Sequence, residues 1–276
     1  MGVVISEPDF GNKWTLSLRP WDQTARIALA GAEKESQEII DAVTFARQML
    51  GFHPDEKQEL VLLGGRRGIV NCTRQWGKST VMAAKAVHRA YSEPGSLTLA
   101  LGPSLRQSGE FVRKAEEFVR RLGLRERGDG LNRVSIHLPN GSRIVGLPGT
   151  DATSRGFSAV SLLIFDEAAW VPDGVYDAMR PTLAVLDGDL WLMSTPWGKR
   201  GFFWHEWAYG GPEWERISVP ATECPRIHKR FLEEERGKDE QKFLREYMCQ
   251  FSETEGRVFS EESIQAALED FPALKL

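Results

Sequence analysis

One short segment, Cys72 to Thr80, constrains the fold of this chain more than any other. The apolar run Gly68–Cys72 before it is typical of a buried strand, and the spacing of apolar residues from Ser79 to Tyr91 predicts a helix. A tight loop between a strand and a helix turns several backbone N–H groups, and the positive end of the helix dipole, toward one small volume. Such a volume binds phosphate. The segment therefore predicts an α/β fold with an anion site at this loop.

The loop nearly matches the phosphate-binding pattern G-x-x-x-x-G-K-[ST], because Gly77, Lys78 and Ser79 fit while Cys72 replaces the first glycine. Gly77 would let the backbone approach the phosphates, Lys78 would neutralise the β- and γ-oxygens, and the Ser79 hydroxyl would ligate Mg²⁺. An accidental Gly-Lys-Ser at a helix start is the alternative. The candidate nucleotide-binding residues of the loop are Cys72, Thr73, Arg74, Gln75, Trp76, Gly77, Lys78, Ser79 and Thr80.

A second pattern is the apolar run that begins at Ser161 and ends in Asp166 and Glu167. A run of this kind is typical of a central parallel strand, and open α/β sheets bind ligands at the carboxyl ends of their strands. Asp166 would hold the Mg²⁺ shell and Glu167 would polarise the attacking water. The alternative is an acidic first turn of a helix.

Composition sets the broad class. The chain has 276 residues, 41% hydrophobic and 27% charged, with a net charge of −4, which is ordinary for a soluble protein and gives no chain-wide basic surface. Three scattered cysteines indicate a reducing compartment. We find no signal peptide and no run of transmembrane length, so a cytoplasmic enzyme is expected.

The chain alternates between strand and helix patterns, which favours a mainly parallel sheet. An Asn140-Gly141 turn predicts a hairpin, and Asp55 is expected to cap a helix that runs to Leu63. A helix is also expected from Ala30 to Leu50, and Glu233 to Gln250 is the clearest helical region of the C-terminal part. The predicted strands are Gly68–Cys72, Leu97–Leu101, Val160–Phe165, Leu190–Ser194 and Arg216–Val219. We expect an N-terminal helical segment (1–50), an ATPase core (51–220) and a small C-terminal helical subdomain (221–276).

The ordered set of motifs resembles the large terminase subunits of tailed bacteriophages, the ATP-driven motors that package DNA into procapsids. The resemblance rests on Arg74–Ser79 and Leu163–Ala169. Support comes from Leu50–Gln58, Thr153–Phe157 and Ser194–Pro196, and from Glu246–Phe251, which resembles the end of the family's ATPase region. It implies a P-loop NTPase of the RecA-like (ASCE) type that uses ATP and Mg²⁺. It also implies double-stranded DNA, a small terminase subunit and a homo-oligomeric ring, expected to be a pentamer on a portal and a monomer in isolation. The expected location is the host cytoplasm, outside the mature virion and away from any membrane.

The resemblance implies roles for single residues. Gln58 would bind adenine, Arg74 would contact the γ-phosphate, and Arg155 would be an arginine finger reaching a neighbouring subunit, with Arg143 as its rival. Ser194 and Thr195 would couple the phosphate state to the DNA-gripping parts. The alternatives are a helix-surface glutamine for Gln58, an exposed loop arginine for Arg74, and turn-capping hydroxyls for Ser194 and Thr195. For Arg155 the alternative is a loop residue that pairs weakly with Asp151 or a nearby acid.

Three further expectations complete the prediction. Full-length large terminases usually carry a nuclease domain, for which this chain lacks room, so no nuclease activity is expected. Asp187-Gly188-Asp189 is predicted to be a turn, and not a metal site. Basic residues between Arg106 and Arg127 could track DNA phosphates, although a solvated amphipathic helix is favoured. A helicase or remodelling ATPase, or a nucleotide switch without turnover, is the alternative function.

Overall fold

The computed structural model describes residues 40–124, 134–150 and 156–252. Internal contacts divide the chain into residues 1–40 and 41–276. Only Ile40 of the first unit is described, so the account below concerns the second.

A seven-stranded sheet forms the centre of the described chain. Its spatial order is β3-β4-β2-β5-β6-β1-β7, and every neighbouring pair is parallel except β3 with β4. The strands are β1 (Arg67–Cys72), β2 (Leu97–Gly102), β3 (Ser135–His137), β4 (Arg143–Pro148), β5 (Leu162–Asp166), β6 (Asp189–Ser194) and β7 (Glu215–Val219).

Eight α-helices lie in the described residues. They are α1 (Ala42–Gln48), α2 (Glu56–Leu63), α3 (Lys78–Ser92), α4 (Leu105–Arg121), α5 (Asp173–Met179), α6 (Gly201–Tyr209), α7 (Lys229–Lys238) and α8 (Glu240–Glu246). None of them is long and apolar enough to cross a membrane.

Two hydrophobic clusters cover the two faces of the sheet. One includes Val81 of α3 and Phe111 of α4, and the other includes Val175 of α5 and Phe202 of α6. Because both faces are covered, all five residues of β5 and all six of β6 are buried. Near-continuous apolar runs are what such strands require.

The sheet order places three strand ends side by side. Since β6 lies between β1 and β5, the carboxyl ends of these parallel strands meet at one edge. They end in Cys72, Asp166 and Ser194. This edge carries the two sequence motifs, and sequence order alone does not show that a third strand separates them.

All five predicted strands are present, each within two residues of its predicted bounds. The hairpin at Asn140-Gly141 is also present, with Gly141 at a φ of 85°. Asp55 caps α2 through a capping box, as predicted. The described part of the first predicted helix is α1, which begins after its cap Asp41. Residues 30–39 lie outside the described chain.

The region from Glu233 to Gln250 is largely helical, as predicted, but it is divided between two helices. These are α7 and α8, and Asp239 separates them with an extended backbone. The Asp239 side chain accepts a hydrogen bond from the backbone N–H of Lys242, so it caps the second helix. A helical spacing of apolar residues cannot reveal such a cap within the pattern. Residues 253–276 lie outside the described chain, and the predicted domain boundaries stay predictions.

A buried lysine joins α2 to the sheet. Lys85 Nζ donates hydrogen bonds to the carbonyls of Val61 (3.0 Å), Leu62 (3.1 Å) and Gly64 (2.8 Å). It also lies 4.6 Å from the ring centroid of Trp191. Burial lowers the pKa of Lys85 to about 8, because removing the ammonium from water disfavours its charge. The side chain thus supplies donors to carbonyls that a helix end leaves unsatisfied.

Candidate active site

The loop between β1 and α3 has a tightly turned backbone. Gln75 and Gly77 have φ values of 64° and 96°, in the left-handed region that favours glycine. A Cβ at Gly77 would lie 3.2 Å from Gln58 Nε2, so a larger residue would be both strained and crowded there. The loop consequently needs glycine at this position, as the motif requires.

Three side chains, those of Asp55, Gln58 and Arg226, brace the loop at Trp76. Asp55 Oδ2 accepts a hydrogen bond from Trp76 Nε1 at 3.1 Å and one from Arg226 at 3.3 Å. Gln58 Nε2 donates to the Trp76 carbonyl at 3.1 Å, and Arg226 donates to the same oxygen. Trp76 itself is buried, so its indole packs in the core and only its backbone faces the loop.

Gln58 is fully engaged in this brace. Its amide oxygen accepts from the Asp55 N–H at 3.0 Å while its amide nitrogen donates to Trp76, and the residue is 1% exposed. These hydrogen bonds give Gln58 a role in positioning the loop, and its contact with adenine stays a prediction. The alternative of a helix-surface glutamine is wrong, because Gln58 is buried.

The lysine of the loop contacts the acidic strand end. Lys78 Nζ lies 2.9 Å from Glu167 Oε1, and the two side chains are 11% and 27% exposed. Burial opposes the charge on Lys78, but the acidic groups of Cys72, Glu167 and Asp166 outweigh it and raise the pKa of the ammonium. Glu167 adopts a φ of 54°, a strained conformation for a residue other than glycine. Strain of this kind is concentrated at functional sites.

Asp166 and Ser79 form a pair suited to a metal ion. Burial raises the pKa of the Asp166 carboxyl, against the effect of Lys78 and a hydrogen bond from the Ser79 hydroxyl. Asp166 Oδ1 is buried and has no hydrogen-bond partner among the described residues. A carboxylate oxygen and a hydroxyl are hard oxygen ligands, which Mg²⁺ prefers. The two residues predicted to hold Mg²⁺ therefore fit that ion.

The end of β6 is tied to the turn that follows Glu167. Ser194 Oγ accepts a hydrogen bond from Ala169 N–H at 3.2 Å and donates to the Thr195 carbonyl at 2.7 Å. Both Ser194 and Thr195 are buried. Of the two predicted coupling residues, Ser194 therefore forms a hydrogen bond with the turn that follows Glu167, and Thr195 is bonded to Ser194.

A cavity of about 260 Å³ opens beside Glu167, and we call it the catalytic cavity. Thr195 and Trp170 line it from the sheet edge, and Arg245 and Glu246 line it from the end of α8. Arg74 completes the wall, with its Nε 3.4 Å from a Glu246 carboxylate oxygen.

A second cavity, of about 600 Å³, lies on the other side of Arg74 and Gln75, and we call it the aromatic cavity. Its remaining walls come from Phe231 of α7, Tyr247 after α8, and the segment Arg226–His228. Apolar and aromatic walls with a few polar groups are typical of small-molecule sites.

The C-terminal helices are attached to the loop through its first residues. Thr73 Oγ1 donates to the Glu246 carbonyl at 3.2 Å, and Asn71 Nδ2 donates to the Cys249 carbonyl at 2.8 Å. Cys72 is buried in the core, where burial raises the pKa of its thiol, so its side chain lies away from the loop surface. Hydrogen bonds thus connect the start of the loop with the end of α8 and the residues after it.

Of the two candidates for the arginine finger, only Arg143 lies in the described residues. Arg155 lies outside the described residues. Arg143 begins β4 in register with Leu97, at the start of β2. It therefore lies at the amino edge of the parallel strands, opposite the edge that carries Lys78.

Charges on α4 are largely paired within the helix. Arg113 contacts Glu110 and Glu117, at 2.9 and 2.6 Å, and Arg120 contacts Glu116 at 3.0 Å. These pairs fit the expected solvated helix. Arg125 and Arg127 lie outside the described residues. Asp187 lies in a turn as predicted, and no cluster of three or more metal-ligating side chains occurs in residues 40–124, 134–150 and 156–252.

Several site residues escaped the sequence analysis. Arg226 contacts the loop from the segment before α7, and Arg245 and Glu246 line the catalytic cavity from the end of α8, all far along the chain. Asp55 was predicted only as a helix cap, and its second oxygen also holds Trp76. The sole signal for the C-terminal set was the similarity of Glu246–Phe251 to the end of an ATPase region.

The fold and the site together define a P-loop NTPase of the RecA-like type, with an additional strand between the loop strand and the acidic strand. A sequence model of the family described as "Terminase large subunit, T4likevirus-type, N-terminal" matches residues 69–266. The chain belongs to this family, which confirms the resemblance drawn from its motifs.

Individual terminase proteins are similar to this chain in sequence, and solved structures are similar to it in fold. The chain is similar to the terminase large subunit of Thermus virus P23-45, with 31% identity over 176 residues, covering 56% of this chain and 36% of that protein. Its fold is similar to the large terminase ATPase domain of Thermus phage P74-26 (TM-score 0.67, 23% identity, 74% and 96% of the two chains). It is also similar to the large terminase of a thermophilic bacteriophage in complex with ADP (TM-score 0.60, 14% identity, 79% and 54%). The chain thus spans about a third of its curated relative.

Proposed function

We propose that this chain is the ATP-hydrolysing motor domain of a viral large terminase subunit, driving double-stranded DNA into a procapsid. The observation that carries the proposal is the contact of Lys78 with Glu167 beside Asp166 and Ser79, in a member of the terminase family. These four side chains are the set that phosphoryl transfer from a nucleotide requires.

The triphosphate binds along the loop from Thr73 to Thr80. Backbone N–H groups and Lys78 hold its oxygens, and the aromatic cavity takes the base and ribose between the loop and Phe231 or Tyr247. Gln58 supports the base indirectly by fixing the loop. Ser79 and Asp166 would hold Mg²⁺, which would supply positive charge to the phosphates.

Hydrolysis requires Glu167 to leave Lys78. A carboxylate that pairs with the lysine cannot at the same time orient a water, and the γ-phosphate competes for the same ammonium. Binding of ATP therefore frees Glu167 to polarise the attacking water in the catalytic cavity. Ser194 and Thr195, joined to the turn after Glu167, transmit this change to the rest of the motor.

Arg155 acts as the trans finger from a neighbouring subunit, stabilising the charge that develops on the phosphate. This role needs the ring that we propose on a portal, with the small terminase subunit as a further partner in the host cytoplasm. Mixing Arg155→Ala with Lys78→Ala subunits tests the role, because each variant supplies the group that the other lacks. Mixtures that form rings and regain no activity would remove it.

Steady-state phosphate release from Glu167→Gln tests the enzymatic proposal. We expect a fall of about 100-fold or more, because a positioned general base contributes roughly 10²–10⁴. The matched control is Glu234→Gln on α7, which is exposed and away from the loop. Turnover equal to wild type in Glu167→Gln would exclude the mechanism, and absence of turnover in wild-type rings on DNA would favour a nucleotide switch.

A further inference from the structure

The guanidinium of Arg245 lies in the wall of the catalytic cavity without a close anionic partner among the described residues. Its nearest carboxylate contact there is Glu246 Oε1, 3.7 Å from a terminal nitrogen, which is beyond hydrogen-bond distance. Its Nε is buried and has no hydrogen-bond partner in the described chain. The side chain is 19% exposed. A largely buried cation with so little negative charge nearby is unfavourable unless a ligand supplies that negative charge.

The position of Arg245 is fixed by packing. The guanidinium carbon lies 4.3 Å from the ring centroid of Trp197, and Trp197 packs against Trp170 at 4.2 Å. An arginine held on an aromatic face has lost much of its rotamer freedom, so presenting it to a ligand costs little further entropy. It is directed at the cavity that Glu167 also lines.

Glu246 separates this arginine from Arg74. One carboxylate oxygen lies 3.4 Å from Arg74 Nε and the other 3.7 Å from Arg245, so a single carboxylate partly compensates two guanidinium groups. Both arginines line the catalytic cavity. A phosphate with several charged oxygens satisfies two arginines better than one carboxylate does.

We infer that Arg245 contacts the terminal phosphate of bound ATP in the same chain, and that Glu246 holds Arg245 and Arg74 until that phosphate arrives. The inference rests on the proposed nucleotide site. It makes the end of α8 a reporter of the γ-phosphate, since Glu246 loses its partners when ATP binds and keeps them when only ADP is present.

Binding of Mg²⁺-ATPγS and Mg²⁺-ADP to the full chain, by titration calorimetry, tests this inference. Arg245→Ala should weaken ATPγS about 10-fold or more, as expected for a lost hydrogen bond to a charged group, and should change ADP by less than about 2-fold. Glu246→Gln should act in the opposite direction and tighten ATPγS relative to ADP. Arg230→Ala on α7, whose side chain is 90% exposed, is the matched control and should change neither.

Failure of this inference can be distinguished from failure of the proposed function. Equal weakening of both nucleotides by Arg245→Ala, or weaker ATPγS binding by Glu246→Gln, would overturn the role of Arg245. Arg245→Gln, which keeps the aliphatic stem against Trp197, replaces Arg245→Ala if thermal unfolding shows that the latter is not folded. Wild-type protein that binds neither nucleotide would instead reject the proposed function.

Discussion

Lys78 and Glu167 form an ion pair of 2.9 Å that joins the phosphate-binding loop to the acidic end of β5. Each partner has a different task once a nucleotide is present, because Lys78 is the natural counterion of a phosphate and Glu167 the natural base for a water. In the mechanism that we propose, the pair is a resting arrangement that the substrate opens.

Removing the Lys78 side chain should lower the affinity for nucleotides. We expect Lys78→Ala to weaken Mg²⁺-ADP and Mg²⁺-ATPγS by roughly 10- to 100-fold, because a hydrogen bond to a charged group contributes about 1.5–3 kcal/mol. Titration with a fluorescent nucleotide measures the loss. Glu167→Gln should bind ATPγS at least as tightly as wild type, since it removes the competitor for the ammonium. Weaker binding by Glu167→Gln would contradict the view that the pair competes with phosphate.

We expect Asp166 to be required for the effect of Mg²⁺ on nucleotide affinity. In wild type we expect Mg²⁺ to tighten ATPγS, and chelation with EDTA to reverse this. Asp166→Asn should lose most of the difference, because an amide is a weaker ligand than a carboxylate for a hard cation. Asp173→Asn is the matched control, since Asp173 lies on α5 and its side chain contacts the Phe202 backbone instead of the loop. An undiminished effect of Mg²⁺ in Asp166→Asn would remove Asp166 from the metal site.

The variant Gln58→Ala distinguishes a role in bracing the loop from a role in recognising the base. Gln58→Ala leaves the Trp76 carbonyl and the Asp55 N–H without this partner, so we expect a loss of about 1–3 kcal/mol in unfolding free energy. Affinity for ATP and GTP should fall by the same factor, because the loop is disturbed and the base is not read. Competition between the two nucleotides measures this ratio. A shift in base preference would restore the adenine role expected from the motif.

Lys85 should give stability an unusual pH dependence. Its pKa is lowered from 10.5 to about 8 in the folded chain. At pH 7 the ammonium is charged in both states, and its burial penalty is present in full. Between pH 8 and 10.5 the unfolded chain binds more protons than the folded chain, so this group adds stability as the pH rises.

The variant that tests this pH dependence is Lys85→Met. It also removes the hydrogen-bond donor that three backbone carbonyls share. We expect it to be destabilised at pH 7 by about 2 kcal/mol or more, and its deficit relative to wild type to grow as the pH rises from 7.5 to 9.5. Urea unfolding across this pH range checks both statements. Lys229→Met, an exposed control, should show no such growth. A constant deficit would mean that Lys85 does not release its proton in this window.

The β-strands and the loop were predictable because their signals are local. An apolar run long enough for a strand, followed by Gly77-Lys78-Ser79 and a helical spacing, needs no knowledge of distant residues. The same is true of Asp166 and Glu167 at the end of their strand. The hairpin followed from its Asn-Gly turn.

Other features depend on neighbours that sequence order conceals. The role of Gln58 was predicted from a motif, yet its amide is occupied by Asp55 and Trp76, a contact that forms only when α2 packs beside the loop. The break at Asp239 was missed because a capping aspartate inside a helical spacing resembles an ordinary surface residue.

The sequence by itself determined that a loop of the phosphate-binding type precedes α3 and that two carboxylates, Asp166 and Glu167, lie at the end of β5, since backbone geometry and residue chemistry within a few positions suffice for these. Only the tertiary structure decided that Lys78 rests on Glu167, that Arg226 holds the loop, and that Arg245 and Glu246 face the catalytic cavity. The physical reason is that ion pairs and cavities are set by strand order and packing, which bring together groups that are far apart along the chain.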